Sequence, residues 1–501
     1  MESNSDVKTY KWKCTVCGII EEGPEPPERC PVCGVGSEMF VKVEEEVSKK
    51  VETKAENPKS YKWKCTICGE IIEGVEPPST CPVCGVGPEM FVKVEEQPTN
   101  IPAIKATKNE KIVIIGASAA GMSAAVEIRK RDKNSDLTII SKEEVKGYFR
   151  PQLSKMLSNE SITIESMTIR DDDWFEENNV KLMLNKLVTK VDAQNKQVIL
   201  DDGNEVDYTI LIIASGAEVF VPPFPGKDKE GVFTLRYAKD GNAIKKYSKN
   251  KTTGAVIGGG VLGLEAANEL KNLGLNVTVV EVADRILPRQ LDPDASKILE
   301  EIVKKAGLTF KKGVGTKEII GDNRVKGVLL DNGETVDADV VIISTGVKAN
   351  CQIADGCGME IKRAIVVNNK METGVPNVYA CGDCAEYDGI NYALWSEAIE
   401  QGKTAGINAT GGDYVYETII PSTTLNAFGS SVFSIGNVGL EPNVEYETYE
   451  DFDGKNFKKL YFKDGKLSGG ILIGDTTKTV ALIEGFEKRK NMEEMIEKIK
   501  S

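Results

Sequence analysis

The sequence predicts a multidomain protein: two small four-cysteine modules, a long α/β region with two dinucleotide-type units, and a small C-terminal α+β domain. Three observations carry that prediction. Eight of the 12 cysteines lie before residue 85 and form two copies of one motif. Two glycine-rich turns, beginning at Gly116 and Gly258, each follow an apolar run and precede a helical pattern. Beyond Gly412 the pattern changes to β-rich stretches and a charged helical tail. A chain of 501 residues has room for roughly three or four such domains.

Composition narrows the chemistry before any motif is read. The chain contains no histidine, which excludes an imidazole general base, a Ser-His-Asp triad, a Cys-His dyad and a mixed His/Cys metal site. A net charge of -14 argues against nucleic acid or an anionic membrane surface as a partner. No apolar run approaches the roughly 20 residues of a membrane span. The N-terminus, MESNSDVKTY, lacks a secretion-signal pattern. The expectation is a cytoplasmic protein whose thiols stay reduced and serve metal or redox chemistry.

The modules come first. Tyr10–Glu45 and Tyr61–Glu96 are identical at 29 of 36 positions, offset by 51. Each carries two C-x-x-C-G turns with twelve residues between the inner cysteines. The metal-ligand sets are Cys14, Cys17, Cys30, Cys33 and Cys65, Cys68, Cys81, Cys84. Such turns aim four thiolates at one tetrahedral ion, and Gly18, Gly34, Gly69 and Gly85 permit them. A unit of about 35 residues buries too little apolar area alone, so the metal is also its core. Four thiolates suit zinc or iron. Tyr10, Trp12 and Phe40, repeated as Tyr61, Trp63 and Phe91, can shield the centre from water.

The pattern Y-K-W-x-C-x-x-C-G…C-P-x-C-G…F resembles rubredoxin, in the short form of rubrerythrins. The resemblance implies one iron per module, cycling between ferric and ferrous, in preference to zinc. Module boundaries are read as 8–45 and 60–96, with charged or proline-bearing linkers at 46–59 and 97–109. Twelve flexible residues span roughly 20 Å, enough for a module to swing against the next domain.

From Lys111 the chain reads as α/β. KIVIIG leads into Gly116-Ala-Ser118-Ala-Ala-Gly121 and a helical pattern, an arrangement that sets a pyrophosphate at a helix N-terminus. Ser118 replaces the usual middle glycine. The second unit has Gly258, Gly260 and Gly263, with Glu281 closing the next strand. A carboxylate there accepts ribose hydroxyls and repels a 2′-phosphate, which favours NADH over NADPH. Val198–Gly216 and Val328–Gly346 form a further repeat, each with a D-[DN]-G hairpin turn, an apolar strand and a closing glycine.

Together these motifs resemble the flavoproteins with two Rossmann-like dinucleotide-binding domains, the pyridine-nucleotide-disulfide and NADH:rubredoxin reductases. The resemblance covers about Lys111 to Gly412. It implies an NADH-dependent FAD oxidoreductase with an FAD domain at 110–225 and 348–413, an NAD domain at 226–347, and a C-terminal α+β domain at 414–501. It implies that Gly116, Ser118, Gly121, Gly216, Gly382, Asp383 and Trp395 hold FAD, with Arg150 toward the phosphates. Gly258, Gly260, Gly263, Glu281 and Gly346 belong to the NADH site. Glu143 is expected at the adenosine ribose, with Lys142 or Glu144 as alternatives. Lys155 and Glu265 are the catalytic pair that it places beside flavin N5.

The acceptor is the open question. No cysteine lies between Cys84 and Cys351, so the thiol partners of disulfide reductases have no counterpart. Cys381 and Cys384 are read as packing residues and Cys351 and Cys357 as free thiols, all four bystanders to the chemistry. The expected path runs from NADH through FAD to the two tethered iron centres and on to an external acceptor. Family context points to rubrerythrin-, superoxide reductase- or flavodiiron-type redox proteins, with the chain a monomer or homodimer. Two other readings stay open: an NADH oxidase reducing oxygen at the flavin, and a redox sensor or scaffold whose modules are zinc ribbons.

Overall fold

A computed structural model describes residues 10–14, 20–27, 37, 40–42, 60–66, 71–81, 87–94 and 110–500. The chain forms two compact units, Met1–Lys59 and Ser60–Ser501. In the first, Tyr10–Cys14 pairs antiparallel with Ile20–Gly23 and Phe40–Lys42. In the second, Tyr61–Cys65 pairs in the same way with Ile71–Gly74 and Phe91–Val94. The repeat in sequence is thus a repeat in register: Cys14 lies opposite Phe40, and Cys65 opposite Phe91.

The rest of the second unit is built on two parallel five-stranded sheets. The first runs Val378–Ala380, Ile210–Ile213, Lys111–Ile115, Asp136–Ile140, Val180–Met183. The second runs Val232–Thr234, Val340–Ile343, Thr253–Ile257, Asn276–Glu281, Thr309–Lys312. Continuous apolar runs such as KIVII and VVII form strands covered on both faces. Strand Val378–Ala380 returns to the first sheet after the second is complete. The short strands Ala217–Val219 and Val347–Ala349 pair between the two sheets.

Helix Trp395–Ala409 crosses helix Ala119–Arg131 closely, because glycine stands at the crossing. A Cβ on Gly402 would lie 2.2 Å from the Ala120 carbonyl oxygen. This contact brings the N-termini of both helices toward one place.

The C-terminal domain is an antiparallel five-stranded sheet from Ser422 to Ile473, covered by helices Thr479–Glu487 and Met492–Lys500. The tail ALIEGFEKRKNMEEMIEKIK, expected as one helix, is therefore two. Arg489 takes the left-handed conformation, at φ 46. Asn491 and Glu494 then cap the second helix reciprocally, each side chain accepting the other's backbone N–H at 3.0 Å. Among the described residues no helix is long and apolar enough to cross a membrane.

Candidate functional site

A cavity of about 540 Å³ is lined by both dinucleotide folds and by Thr424 of the C-terminal sheet. Its wall begins with the first glycine turn. Gly116 has φ 110, and a Cβ there would meet the Ala214 carbonyl oxygen at 2.1 Å. Gly121 packs back onto that turn: its Cβ would lie 1.9 Å from the Gly116 oxygen. Ser118 is the helix N-cap, yet its side chain makes no cap bond. The first-turn N–H groups beside the cavity are thereby left for an anion.

Glu143 and Arg150, assigned to different parts of a cofactor by the sequence reading, form one ion pair at 2.9 Å in the cavity wall. Glu143 also accepts from the Tyr148 hydroxyl at 2.8 Å, and Arg150 donates to the Arg236 carbonyl at 2.9 Å. Of the alternatives, Lys142 lines the cavity and pairs with Glu218, while Glu144 is exposed and outside the lining. Asp383 accepts from Arg236 at 2.8 Å. Arg236 escaped the sequence reading, since no local motif marks it. A Cβ on Gly216 would approach only this guanidinium, at 3.8 Å.

Gly382 (φ 75) donates its N–H to Gln401 at 2.8 Å, which ties the turn to the helix that begins at Trp395. Trp395 and Ala398 line the cavity from that helix start. Glu397, on the same first turn, is buried, and burial pushes its carboxyl up to about 7.

Glu265 reaches the cavity from the second fold, beside Val261 and Leu262. Burial pushes its carboxyl up to about 7, opposed by a Ser154 hydrogen bond and the nearby Lys155 charge. The direct partner is Ser154, at 3.0 Å, and not Lys155. Lys155 is half-buried beside the cavity without lining it.

Around the second turn, Gly258 (φ 117) sits on the Ser344 carbonyl and Gly263 packs onto Gly258 as in the first. Gly260 at the helix N-cap and Gly346 (φ 103) both face open space. Glu281 is held by two backbone donors, Gly259 at 2.6 Å and Ala283 at 2.7 Å.

The second module is seated on this region. Cys65, Cys81 and Phe91 form one buried cluster with Phe149, and Trp63, Ile72 and Trp395 pack against it. Lys64 pairs with Glu400 at 2.7 Å. Cys65 and Cys81 come from the two different knuckles, as one tetrahedral centre requires. The side chains of Cys14, Cys17, Cys30, Cys33, Cys68 and Cys84 lie outside the described residues.

The late cysteines are placed for packing. Cys381 and Cys384 are 0% exposed and their thiols are pushed up by burial. Cys384 donates to the Ile213 carbonyl at 3.3 Å, and Cys357 to Val191 at 2.8 Å. Cys351 is buried too, which raises its thiol.

Two parallel dinucleotide folds opening on one shared cavity define a nucleotide-dependent oxidoreductase. The chain belongs to the pyridine nucleotide-disulphide oxidoreductase family, which matches residues 110–402. A rubredoxin NAD+ reductase C-terminal domain matches 421–490, and rubrerythrin-type rubredoxin-like domains match 12–41 and 63–92. The chain is 32% identical over 386 residues to an NADH-rubredoxin oxidoreductase of Clostridium acetobutylicum, covering 77% of this chain and 97% of the relative. The crystal structure of NADH:rubredoxin oxidoreductase from that organism superposes with a TM-score of 0.66 at 32% identity, over 77% of this chain and 96% of that one. It is 37% identical to a nitrite reductase [NAD(P)H] of Bacillus subtilis, over 77% of this chain but only 48% of that protein. The chain thus spans about half the length of the first curated relatives it matches. Family membership supports FAD and NADH as cofactors, and the cavity fits a dinucleotide: helix N-termini, two partly buried Arg–carboxylate pairs and the first glycine turn. The rubredoxin-like domains support a metal at each module.

Proposed function

We propose that the protein oxidises NADH through FAD and passes the electrons one at a time to its own rubredoxin-type iron centres, then to an external redox protein. One NADH reduces two ferric centres, giving NAD+, one proton and two ferrous centres. Bound FAD supplies the conversion between a two-electron donor and one-electron acceptors.

The chain's residues divide the remaining work. The Gly116-Ser118-Gly121 turn would receive the FAD pyrophosphate, with Gly216, Gly382 and Asp383 along the cofactor. Arg150 and Glu143 act as one unit at the phosphate and ribose. The helix start at Trp395, which lines the cavity, would face the ring and favour negative charge on it. Gly258, Gly260, Gly263 and Gly346 would hold NADH, and Glu281 its ribose. Glu265, from the cavity wall, would meet the incoming nicotinamide, with Lys155 beside the cavity.

One observation carries this reading. The cluster holding Cys65 and Cys81 extends without interruption through Phe149 to Trp395, and Trp395 lines the cavity. Zinc in the modules would stop transfer at the flavin. Anaerobic NADH titration of the FAD- and iron-loaded chain should therefore bleach flavin and ferric-thiolate absorption together. Zinc-loaded chain should bleach flavin alone. Persistence of the ferric-thiolate bands beside fully reduced flavin would rule the path out.

A further inference from the structure

The two modules are near copies, yet the surface that seats the second is not neutral between them. Trp63, Lys64, Cys65, Cys81 and Phe91 have identical counterparts in the first module: Trp12, Lys13, Cys14, Cys30 and Phe40. Ile72 does not. Its counterpart is Glu21, which the backbone register sets opposite Trp12 just as Ile72 lies opposite Trp63.

Ile72 is half-buried and packs against the cluster formed by Cys65, Cys81, Phe91 and Phe149. A carboxylate at this place has to give up part of its water for an apolar contact, at a cost that an ion pair or protonation would have to offset. Among the described residues, Lys64 already bonds Glu400, whose second neighbour is Lys403 at 3.6 Å.

We propose that the surface made by Phe149, Trp395 and Glu400 admits the second module and rejects the first. The two copies then have different duties. Resting on the electron path above, the centre at Cys65, Cys68, Cys81 and Cys84 receives electrons from the flavin. The first module is left undocked, to exchange with that centre or with an external redox protein.

The chain carries its own internal control, because Lys64 and Lys13 occupy equivalent positions. Brief acetylation of the full iron- and FAD-loaded chain with limiting acetic anhydride, read by peptide mass spectrometry, should modify Lys64 several-fold less than Lys13. Ile72→Glu should raise Lys64 to the Lys13 level while both irons are retained, and Ile72→Leu should keep it protected. Adding Glu21→Ile to Ile72→Glu should move the protection to Lys13. Should Ile72→Glu lose iron, Glu21→Ile alone decides: protection shared by Lys13 and Lys64 supports the proposal, and unchanged Lys13 labelling overturns it. Equal labelling of the two lysines in the unaltered chain also overturns it. Labelling reads docking and not electron flow. A protected Lys64 with unreduced iron would refute the path and spare the dock, and equal labelling with reduced iron would do the reverse.

Discussion

Phe149 meets Trp395 edge to face, with ring centroids 5.1 Å apart and planes at 82°. Phe149 is 2% exposed within the cluster that holds Cys65 and Cys81, and Trp395 lines the cavity. The pair is therefore the junction between module and cavity. Phe149→Leu keeps most of the volume, so its cost stays under about 1.5 kcal/mol. That corresponds to at most about a tenfold loss of docking. Stopped-flow reduction should show the flavin phase unchanged and the iron phase slowed by up to that factor. Equal slowing of both phases would place Phe149 in the flavin site alone.

The Lys64–Glu400 pair, at 2.7 Å, has side chains 37% and 22% exposed. A pair that open contributes at most about 1 kcal/mol. Burial alone would raise the Glu400 carboxyl, but Lys64 and Lys403 outweigh it and hold it below its ordinary value. A depressed carboxyl contributes its stability above the unfolded value and loses it as pH falls through the folded one. Docking should thus hold at neutral pH and weaken in acid below the usual carboxylate range. Raising salt from 0.1 to 1 M shortens screening from about 10 to about 3 Å and should slow the iron phase modestly. Lys64→Gln should abolish both dependences. If the salt response survives that change, another charge steers the module.

What could be read in advance follows from where the physics is local. The turns at Gly116 and Gly258 were legible because a carbonyl lies where any Cβ would stand. The metal modules were legible because thiolate spacing is itself the geometry. Arg236 and Asp383 were harder: they are 147 residues apart, and only the fold brings them together. The dock is the extreme case, since Lys64 and Glu400 are separated by 336 residues. Its advance sign was the Glu21/Ile72 difference, one of seven between the two copies. The break in the C-terminal tail was written locally, as Asn491 three residues before Glu494, and was overridden by the charged helical pattern around it.

Glu265 should set a pH dependence. Burial raises its carboxyl from an ordinary 4.5 to about 7, against Ser154 and Lys155. The folded state then binds more protons than the unfolded one across that window, so stability falls as pH rises through it. Glu265→Gln carries no charge and should escape the loss. Its melting temperature relative to the unaltered chain should climb between pH 5 and pH 7 and level off above. The same variant should remove an inflection near 7 from the rate of flavin reduction by NADH. A constant melting difference at all pH would show that the carboxyl titrates normally. Glu397, also pushed up to about 7 by burial, adds a loss of the same sign that this variant leaves in place.

Glu281 separates charge from architecture in nucleotide choice. Its carboxylate ends the strand Asn276–Glu281 and accepts from Gly259 at 2.6 Å and from Ala283 at 2.7 Å. Those bonds hold the glycine turn, and the negative charge they fix there disfavours a 2′-phosphate. Glu281→Gln removes the charge and keeps one of the two acceptor oxygens, leaving its amide nitrogen to face the other backbone N–H. It should cost about 1–3 kcal/mol for the one unmatched N–H and raise kcat/KM for NADPH relative to NADH, with NADH falling by about tenfold for a lost charged hydrogen bond. Glu281→Ala removes both acceptors, leaving the Gly259 and Ala283 N–H groups unmatched at a cost of about 1–3 kcal/mol each. It should lower the melting temperature and weaken both nucleotides. If Glu281→Gln leaves the NADH to NADPH ratio untouched, the carboxylate serves the turn only and selectivity lies elsewhere in the second fold.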